Sequence, residues 1–369
     1  MLQDVVYFDL RPKRDREDFF NYERELQRLL EAFRRERFVL VLGPRRVGKT
    51  SLLLTALSEV ECKVLFIDVR EAVEERGVSE QSFLREVENQ VNSLLRRDTD
   101  REALHRCLET VGLDVQAGQV RVSQVLHFPR VLEALMRWGE FTGQRIVLAF
   151  DELQELRGMR IRWLLNHLAY AYDHLEHITV VATGSQVGLL FDILQLHEPE
   201  SPLFGRAFCE VRMGPLSPRA ARQFLIEGFR QAGKKPPRTF ITEAVQRLDG
   251  IIGWLTYAGW KAAYEGVVDL EAILVDAGRL ALSELEHFLR QRPQARTRYL
   301  SILQVLAAQP RRWSELLRAV ELPEVTLHRL LATLEKANLV TKRQGRYWIV
   351  DPVLAYALLN LMRLKGSNR

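Results

Sequence analysis

The octapeptide Gly43-Pro44-Arg45-Arg46-Val47-Gly48-Lys49-Thr50 constrains this chain more than any other stretch, because it fits the pattern GxxxxGK[ST] at every fixed position. Each element answers a physical demand. Glycines let successive backbone N–H groups curl round an anion, and the N-terminus of the following helix adds a partial positive charge. The lysine ammonium neutralises β- and γ-phosphates, and the hydroxyl behind it ligates a divalent cation. The flanks fit as well. Phe38-Val39-Leu40-Val41-Leu42 reads as a buried strand running into the loop, and the run from Ser51 to Val60 continues as a helix, so the order is strand, loop, helix. The residues expected to cradle a nucleotide, ATP or ADP, are Gly43, Pro44, Arg45, Arg46, Val47, Gly48, Lys49, Thr50 and Ser51.

Such a site also needs acidic partners. The apolar run Ile146-Val147-Leu148-Ala149-Phe150 ends in Asp151-Glu152. Asp151, at the carboxyl end of a strand, is placed to hold Mg²⁺ through a water, beside Thr50, and Glu152 to polarise the attacking water. An apolar run ending in Asp-Glu is common on its own and gains weight only behind the complete loop. A further strand, Ile178 to Ala182, leads into Thr183-Gly184-Ser185. A hydroxyl there can sense the γ-phosphate or orient the water, and Ser185 can equally serve as the N-cap of the helix VGLLFDIL that follows; the two roles are compatible. Catalytic candidates are therefore Lys49, Asp151, Glu152 and Ser185.

Short apolar runs at 38–42, 64–67, 146–150 and 178–182, with another strand over Phe208 to Met213, alternate with helical patterns. That is the signature of an α/β domain with a parallel sheet. Residues 70–144 carry helical patterns at Glu80 to Arg97 and Pro129 to Phe141 and a hairpin signal around Leu113 to Leu126, with Gly118 in its turn; they read as an insertion. From Leu216 onward helices dominate, opening on Ser217 as N-cap with Pro218 at the first helical position. The expected division is a core over 1–215, a helical lid over 216–292 and a basic module over 293–369.

Composition excludes little else. At 369 residues, 47% hydrophobic and 27% charged, the chain is ordinary globular material for two or three domains. No apolar run approaches the roughly 18 to 20 residues of a membrane span, and the N-terminus lacks the apolar stretch of a signal peptide, so the expected location is cytoplasmic, away from membranes. Three scattered cysteines make no CxxC pair, and His167, His174 and His177 have no companion ligands at metal spacing. Charge is the uneven property. Residues 293–369 hold thirteen Lys/Arg against five Asp/Glu, a net +8, leaving −3 of the chain's +5 to the rest.

Within that basic module Arg296 to Ala307, Ser314 to Val320 and Glu324 to Ala337 form three helices, the last with Leu327, Leu330, Leu331 and Leu334 on one face. Val340 to Ile349 alternates about a basic glycine turn. Together these make a winged helix. The opposite face of the third helix offers His328, Arg329 and Lys336, and Lys342, Arg343 and Arg346 lie on the wing. Arg329, Lys336, Lys342, Arg343 and Arg346 are candidates for contacts with DNA. The same basic face also suits an acidic lid or a protein partner.

The segments GPRRVGKTSLL, VLAFDELQEL, VVATGSQVGLL and ESPLFGRAF together resemble the archaeal-type ATPases of the STAND clade, within the AAA+ group, and the resemblance spans nearly the whole chain. It implies a five-stranded ATPase core, a helical lid and a C-terminal winged helix that act as a slow, nucleotide-driven switch, with ATP and Mg²⁺ held between core and lid. It puts Ser185, with Thr183 beside it, at the sensor strand tip, and makes Arg206 a candidate for a charge set against the γ-phosphate, in the same chain or a neighbour's site; pairing with Glu198 or Glu200 is the plainer alternative. Two departures stand out. Tyr22 occupies the place of an expected arginine, and the lid turn Gly250-Ile251-Ile252-Gly253-Trp254 lacks the usual proline. The alternative function is a DNA-binding regulator or origin-type loader licensed by nucleotide. A small-molecule kinase is disfavoured by Glu152, the lid and the winged helix. Self-association and a protein partner remain open.

Overall fold

The computed structural model describes residues 7–75, 77–124, 127–157 and 161–366. The end of the expected hairpin, 125 and 126, lies outside the described residues. By compactness the chain forms two units, one of Lys13–Gly43 and Lys49–Met213, the other of Met1–Pro12, Pro44–Gly48 and Gly214–Arg369.

In the first unit, α1 (Glu23–Arg35) buries Leu26, Leu29, Ala32 and Phe33, the stripe that three- and four-residue spacing dictates. β1 (Phe38–Leu42) is buried at every position, as a strand covered on both faces must be. After α2 (Lys49–Ser58), β2 (Cys62–Asp68) alternates buried with half-buried residues, as befits a strand at the sheet margin. Then come α3 (Glu80–Arg97), opened by a reciprocal Ser79–Ser82 capping box, and α4 (Arg101–Thr110), which the periodicity had not suggested. The hairpin signal corresponds to a two-residue ribbon, Val115–Gln116 against Gln119–Val120, turning through Ala117 and Gly118 at positive φ. Buried Asn92 pins it to α3, accepting from Val120 N at 2.8 Å and donating to Val120 O at 3.0 Å.

α5 (His127–Thr142), β3 (Arg145–Asp151), α6 (Arg162–His174), β4 (Ile178–Gly184), α7 (Val187–Leu194) and β5 (Cys209–Arg212) complete the unit. All five strands are parallel, in the order β2-β3-β4-β1-β5. The chain leaves β1 for the far edge at β2 and later steps from β4 across β1 to β5. Connections thus diverge in opposite directions at the carboxyl ends of β1 and its neighbours, where open α/β sheets leave a crevice. Register aligns what lies there. Leu42 faces Gly184 across one pair, and Asp68 faces Asp151 across another.

The second unit is helical apart from a small sheet. Phe8, 0% exposed, packs edge-on against Phe224 and Phe229, and a Cβ at Gly228 or Gly259 would lie 2.4 Å or less from its ring. α8 (Pro218–Gln231) starts as expected, with Ser217 Oγ accepting from Ala220 N and proline in the first turn. α9 (Arg238–Arg247), α10 (Ile252–Tyr264) and the long α11 (Leu270–Arg290) follow. Before α10, Gly250 sits at φ +71° with a would-be Cβ 2.0 Å from the Leu216 carbonyl oxygen, so no side chain fits.

α12 (Arg296–Ala308), a two-residue strand β6 (Arg311–Arg312), α13 (Trp313–Val320), α14 (Glu324–Lys336), β7 (Val340–Arg343) and β8 (Arg346–Ile349) make a winged helix. Its antiparallel sheet runs β6-β8-β7 and turns at Gln344-Gly345, both at positive φ. The expected leucine face of α14 is buried. A final helix, α15 (Pro352–Gly366), lies beyond the wing and buries Val353, Leu354, Ala357 and Leu358. Among the described residues no helix is long and apolar enough to cross a membrane.

Candidate functional site

The tip of β3 carries a cluster of buried polar side chains. Asp151 is 0% exposed. A buried carboxylate needs donors, and it has three. Thr183 Oγ1, from the tip of β4, donates to Oδ1 at 2.6 Å; Thr50 Oγ1, from the first turn of α2, donates to Oδ2 at 2.9 Å; Arg70 Nη2 reaches Oδ2 at 3.1 Å. Burial pushes the carboxyl above its ordinary range; the Thr183 bond pulls it back, the neighbouring Glu152 charge pushes it further up, and Arg70 and Thr50 lower it. Arg70 gets there because Asp68, capping the turn after β2, holds its guanidinium at 2.6–2.8 Å and stands beside Asp151 in the parallel register.

Glu152 takes a left-handed conformation, φ +54° and ψ +47°, which costs a non-glycine residue roughly 1–2 kcal/mol. What holds it there is Thr183, whose Oγ1 accepts from Glu152 N at 2.9 Å while donating to Asp151. One hydroxyl thus sets the geometry of both acidic residues. The turn aims the Glu152 carboxylate back over the strand tips, where Ser185 Oγ donates to Oε2 at 2.7 Å, Gln154 Nε2 donates to the same oxygen, and Lys49 Nζ stands 3.7 Å from Oε1. Lys49 is only 4% exposed. Of the two roles expected for Ser185, the hydroxyl's bond to Glu152 bears on the first, and the residue directly before α7 is Gln186, whose side chain makes no capping bond.

Sequence reasoning named Lys49, Thr50, Asp151, Glu152 and Ser185, and the fold brings all five together. It missed Arg70 and Gln154. Parallel register of the strand ending in Asp68 would have pointed to Arg70; a polar residue two places past Glu152 was a weaker signal for Gln154. Ser51, also expected at the site, accepts from Lys13 N at 3.1 Å. Tyr22, at the start of α1, is 6% exposed at φ +64°. An arginine in its place would have to bury its charge.

The loop apex, within the second unit, behaves differently. Arg46 sits at φ +64° and Gly48 at +93°. Side chains of Arg45 and Arg46 both turn to Glu284 on α11: Arg46 forks onto its two oxygens, one at 2.9 Å, and Arg45 lies at 3.2 Å. The Arg46 guanidinium also lies 3.9 Å over the Trp254 ring and 4.0 Å from Asp351. Its carbonyl accepts from Gly253 N at 2.8 Å, where a Cβ would stand 2.7 Å from Arg46 Cβ. This is what the proline-free turn does here: its second glycine lets two backbones meet.

Arg206 is not drawn into the acidic cluster. It pairs through Nε (3.0 Å) and Nη2 with Asp173, and through Nη1 with the Pro202 carbonyl, so neither Glu198 nor Glu200 is its partner. The Arg206 bond holds the Asp173 carboxyl below its usual range. Asp173 closes α6 just before β4 begins, so the pair lies at the opposite end of that strand from Ser185. In the winged helix, Arg329, Lys336, Lys342 and Arg343 are exposed, while Arg346 is half-buried between Glu315 (3.7 Å) and the Pro310 carbonyl (3.3 Å). Lys342 lies over the Tyr347 ring.

Similarity to known proteins bears on the family and the fold. Residues 19–257 match the model of an ATPase domain predominantly from Archaea, and residues 297–344 match the IclR helix-turn-helix domain. Among solved structures, a Walker-type ATPase of Pyrococcus abyssi is 34% identical over 95% of this chain and 99% of its own, with a TM-score of 0.81. The ORC2 protein of Aeropyrum pernix, solved in ADPNP–ADP complexes, is 14% identical over 98% of each chain, with a TM-score of 0.58, and so shares the fold. None of the curated proteins matches the sequence significantly. With two thirds of its length inside that family model and a one-third-identical relative along nearly all of it, the chain belongs to the ATPases found predominantly in Archaea, with an IclR-type winged helix at its C-terminal end.

Proposed function

We propose that the protein binds ATP with Mg²⁺ in the loop from Gly43 to Ser51, hydrolyses it slowly, and uses the nucleotide state as a switch acting on its winged helix. The observation that carries this reading is the closed set of contacts at the strand tips: Thr50, Asp151, Thr183, Glu152, Ser185 and Lys49 are linked by separations of 3.7 Å or less. The donor chemistry suits the metal. Thr50 Oγ1 and Asp151 Oδ2, 2.9 Å apart, are hard oxygens, and magnesium takes one or two protein oxygens while keeping several waters. When bound it would neutralise charge building on the phosphoryl oxygens. Lys49 would face the β- and γ-phosphates, and Glu152 would take a proton from the attacking water, with Ser185 holding the carboxylate in place.

The switch part rests on Arg45 and Arg46. Both belong to the phosphate loop and both are tied to Glu284 on α11, while Arg46 also faces Asp351, the residue that opens α15 behind the wing. A polyphosphate in the loop would compete for these guanidiniums, loosening their hold on α11 and α15. Lys49→Ala is expected to lose Mg²⁺-dependent binding of labelled ATP. Glu152→Gln is expected to bind ATP as tightly as the wild type yet turn over about 100-fold more slowly or less. Normal turnover by Glu152→Gln would overturn the water-activating assignment.

The second reading, a DNA-binding regulator licensed by nucleotide, is favoured by the helix-turn-helix match and the exposed Arg329, Lys342 and Arg343. A gel shift under salt titration separates the two. A salt-sensitive complex abolished by substituting Lys342, Arg343 and Arg346 supports DNA; no complex at low salt supports a protein-directed switch. A role for Arg206 in a neighbouring subunit's site fits its distance from the cluster in its own chain.

A further inference from the structure

Gln154 has no part in the pattern that marks the nucleotide loop or the acidic pair, yet it is 3% exposed and aimed into the cluster. It lies on the short turn Leu153–Leu156 that the left-handed Glu152 initiates. Its Nε2 donates to Glu152 Oε2 and approaches Ser185 Oγ at 3.2 Å, while Ser185 Oγ itself donates to that same Oε2. Three polar groups therefore close a triangle on one carboxylate oxygen. The other oxygen, Oε1, is left on the side of Lys49, at 3.7 Å.

Two more observations make a packing role insufficient. The far oxygen of the amide, Oε1 of Gln154, is buried without a hydrogen-bond partner among the described residues, a cost of roughly 1–3 kcal/mol that an apolar side chain of the same shape would not incur. Room is also kept for it: a Cβ on Gly184, at the end of β4, would come within 3.1 Å of that oxygen and 2.7 Å of Leu190 Cδ2. A buried amide held at a cost, in space left by a glycine, with its donor end on Glu152, is placed for what it does to Glu152.

We propose that Gln154 is a positioning residue for hydrolysis: with Ser185 it fastens Oε2 of Glu152, which fixes the carboxylate plane and presents Oε1 toward the lysine and the phosphate end of the nucleotide. This deepens the ATPase reading and rests on it. A carboxylate on a two-carbon stem rotates about its last torsion, and a base misaligned by about 1 Å loses up to ~100-fold in rate. Fastening one oxygen removes that rotation. Gln154 touches neither nucleotide nor water in this scheme and acts only through Glu152.

Gln154→Met keeps the length of the side chain and deletes the donor. Its kcat for ATP is expected to fall about tenfold or more, with KM, ADP affinity and melting temperature close to those of the wild type. Gln154→Asn, which keeps the amide but withdraws it by one methylene, is expected to share the loss, and it stands in if the methionine variant folds poorly. Introduced into Glu152→Gln, Gln154→Met is expected to change the residual rate by less than about twofold, because the group it positions is already gone. Unchanged kcat in both single variants overturns the proposal. So does a parallel loss of kcat and ADP affinity, or an equal further loss in the Glu152→Gln background, either of which marks a packing role. Absence of Mg²⁺-dependent turnover in the wild type, or normal turnover in Glu152→Gln, removes the ATPase reading and this inference with it. Silence of Gln154 alone leaves that reading standing.

Discussion

Two aspartates, one in each unit, meet the same difficulty in different ways. Asp151 and Asp351 are both carboxyls that burial pushes above their ordinary range. Asp151 is satisfied by the hydroxyls of Thr183 and Thr50 and by the half-exposed guanidinium of Arg70. Asp351 is satisfied by the indole N–H of Trp254, at 2.9 and 3.0 Å, and by the backbone amides of Val353 and Leu354 at 2.8 and 3.3 Å, with Arg46 nearby. Hydroxyls rotate and accept as well as donate; an indole in a buried ring and amides in a helix turn do neither. The first set is able to rearrange around a cation, whereas the second holds a helix start in one place. The same residue type thus has rearrangeable partners in one unit and fixed ones in the other.

The sharpest way to break the comparison is to remove each charge. In Asp151→Asn the remaining oxygen, at the Oδ1 position, still lies within reach of Thr183 at 2.6 Å and Thr50 at 3.2 Å, while the amide loses the ion pair with the half-exposed Arg70. With a buried charge gone as well, the fold should stand and melt within a few degrees of the wild type. Turnover of ATP should nevertheless fall about 100-fold or more, on the scale of the several kcal/mol a lost metal ligand costs. A variant that turned over normally would show that Asp151 is structural. Asp351→Ala should do the reverse. It strips the acceptor from a Trp254 that is 2% exposed and uncaps α15, so denaturant unfolding should lose about 2–3 kcal/mol.

The two aspartates also predict a pH effect, which is cleanest at Asp351. Its folded-state carboxyl titrates above the ordinary value because burial disfavours the charge. Between those values the folded state binds more protons than the unfolded one, so the contribution of this group to stability is full at low pH and falls as pH rises through the raised value. Asp351→Asn keeps an acceptor for Trp254 and the amides and has no charge to titrate. The stability of the wild type relative to this variant should therefore decline from pH 4 to pH 7, measured by denaturant unfolding at both. A constant difference would mean that Arg46 and the N–H donors already offset the burial.

How much of this was legible from sequence follows from the range of each interaction. The loop, the acidic pair and the strand order of events along the chain are local patterns, and Gly43 to Thr50, Asp151, Glu152 and the leucine face of α14 were readable for that reason. Arg70 and Gln154 were not, because what makes them matter is a parallel register and a left-handed turn, neither of which leaves a periodic trace. α15 was overlooked beyond the wing although Val353, Leu354, Ala357 and Leu358 carry helical spacing. The strand β6 was missed because two arginines, Arg311 and Arg312, give no apolar alternation at all. Arg206 is a case of range as well: its motif suggested a phosphate, and within its own chain it pairs with Asp173, 33 residues away, a contact that spacing does not reveal.

The smallest expected effect tests whether the loop apex belongs with the anchoring side or the exchanging side. Glu284 takes both Arg45 and Arg46, but its side chain is 35% exposed and that of Arg46 is 21%. Water and salt screen such a pair, so Glu284→Gln should cost no more than about 1 kcal/mol of stability, less at high ionic strength. If Arg46 only anchors, nucleotide affinity should stay where it was, because Trp254 still lies under the guanidinium and Asp351 still faces it. If the apex is an exchange site, the freed guanidiniums should bind polyphosphate about two- to fivefold more tightly, a gain that fades as salt rises. Titrating labelled ATP against the wild type and Glu284→Gln at two salt concentrations separates these outcomes, and the proposed switch requires the second.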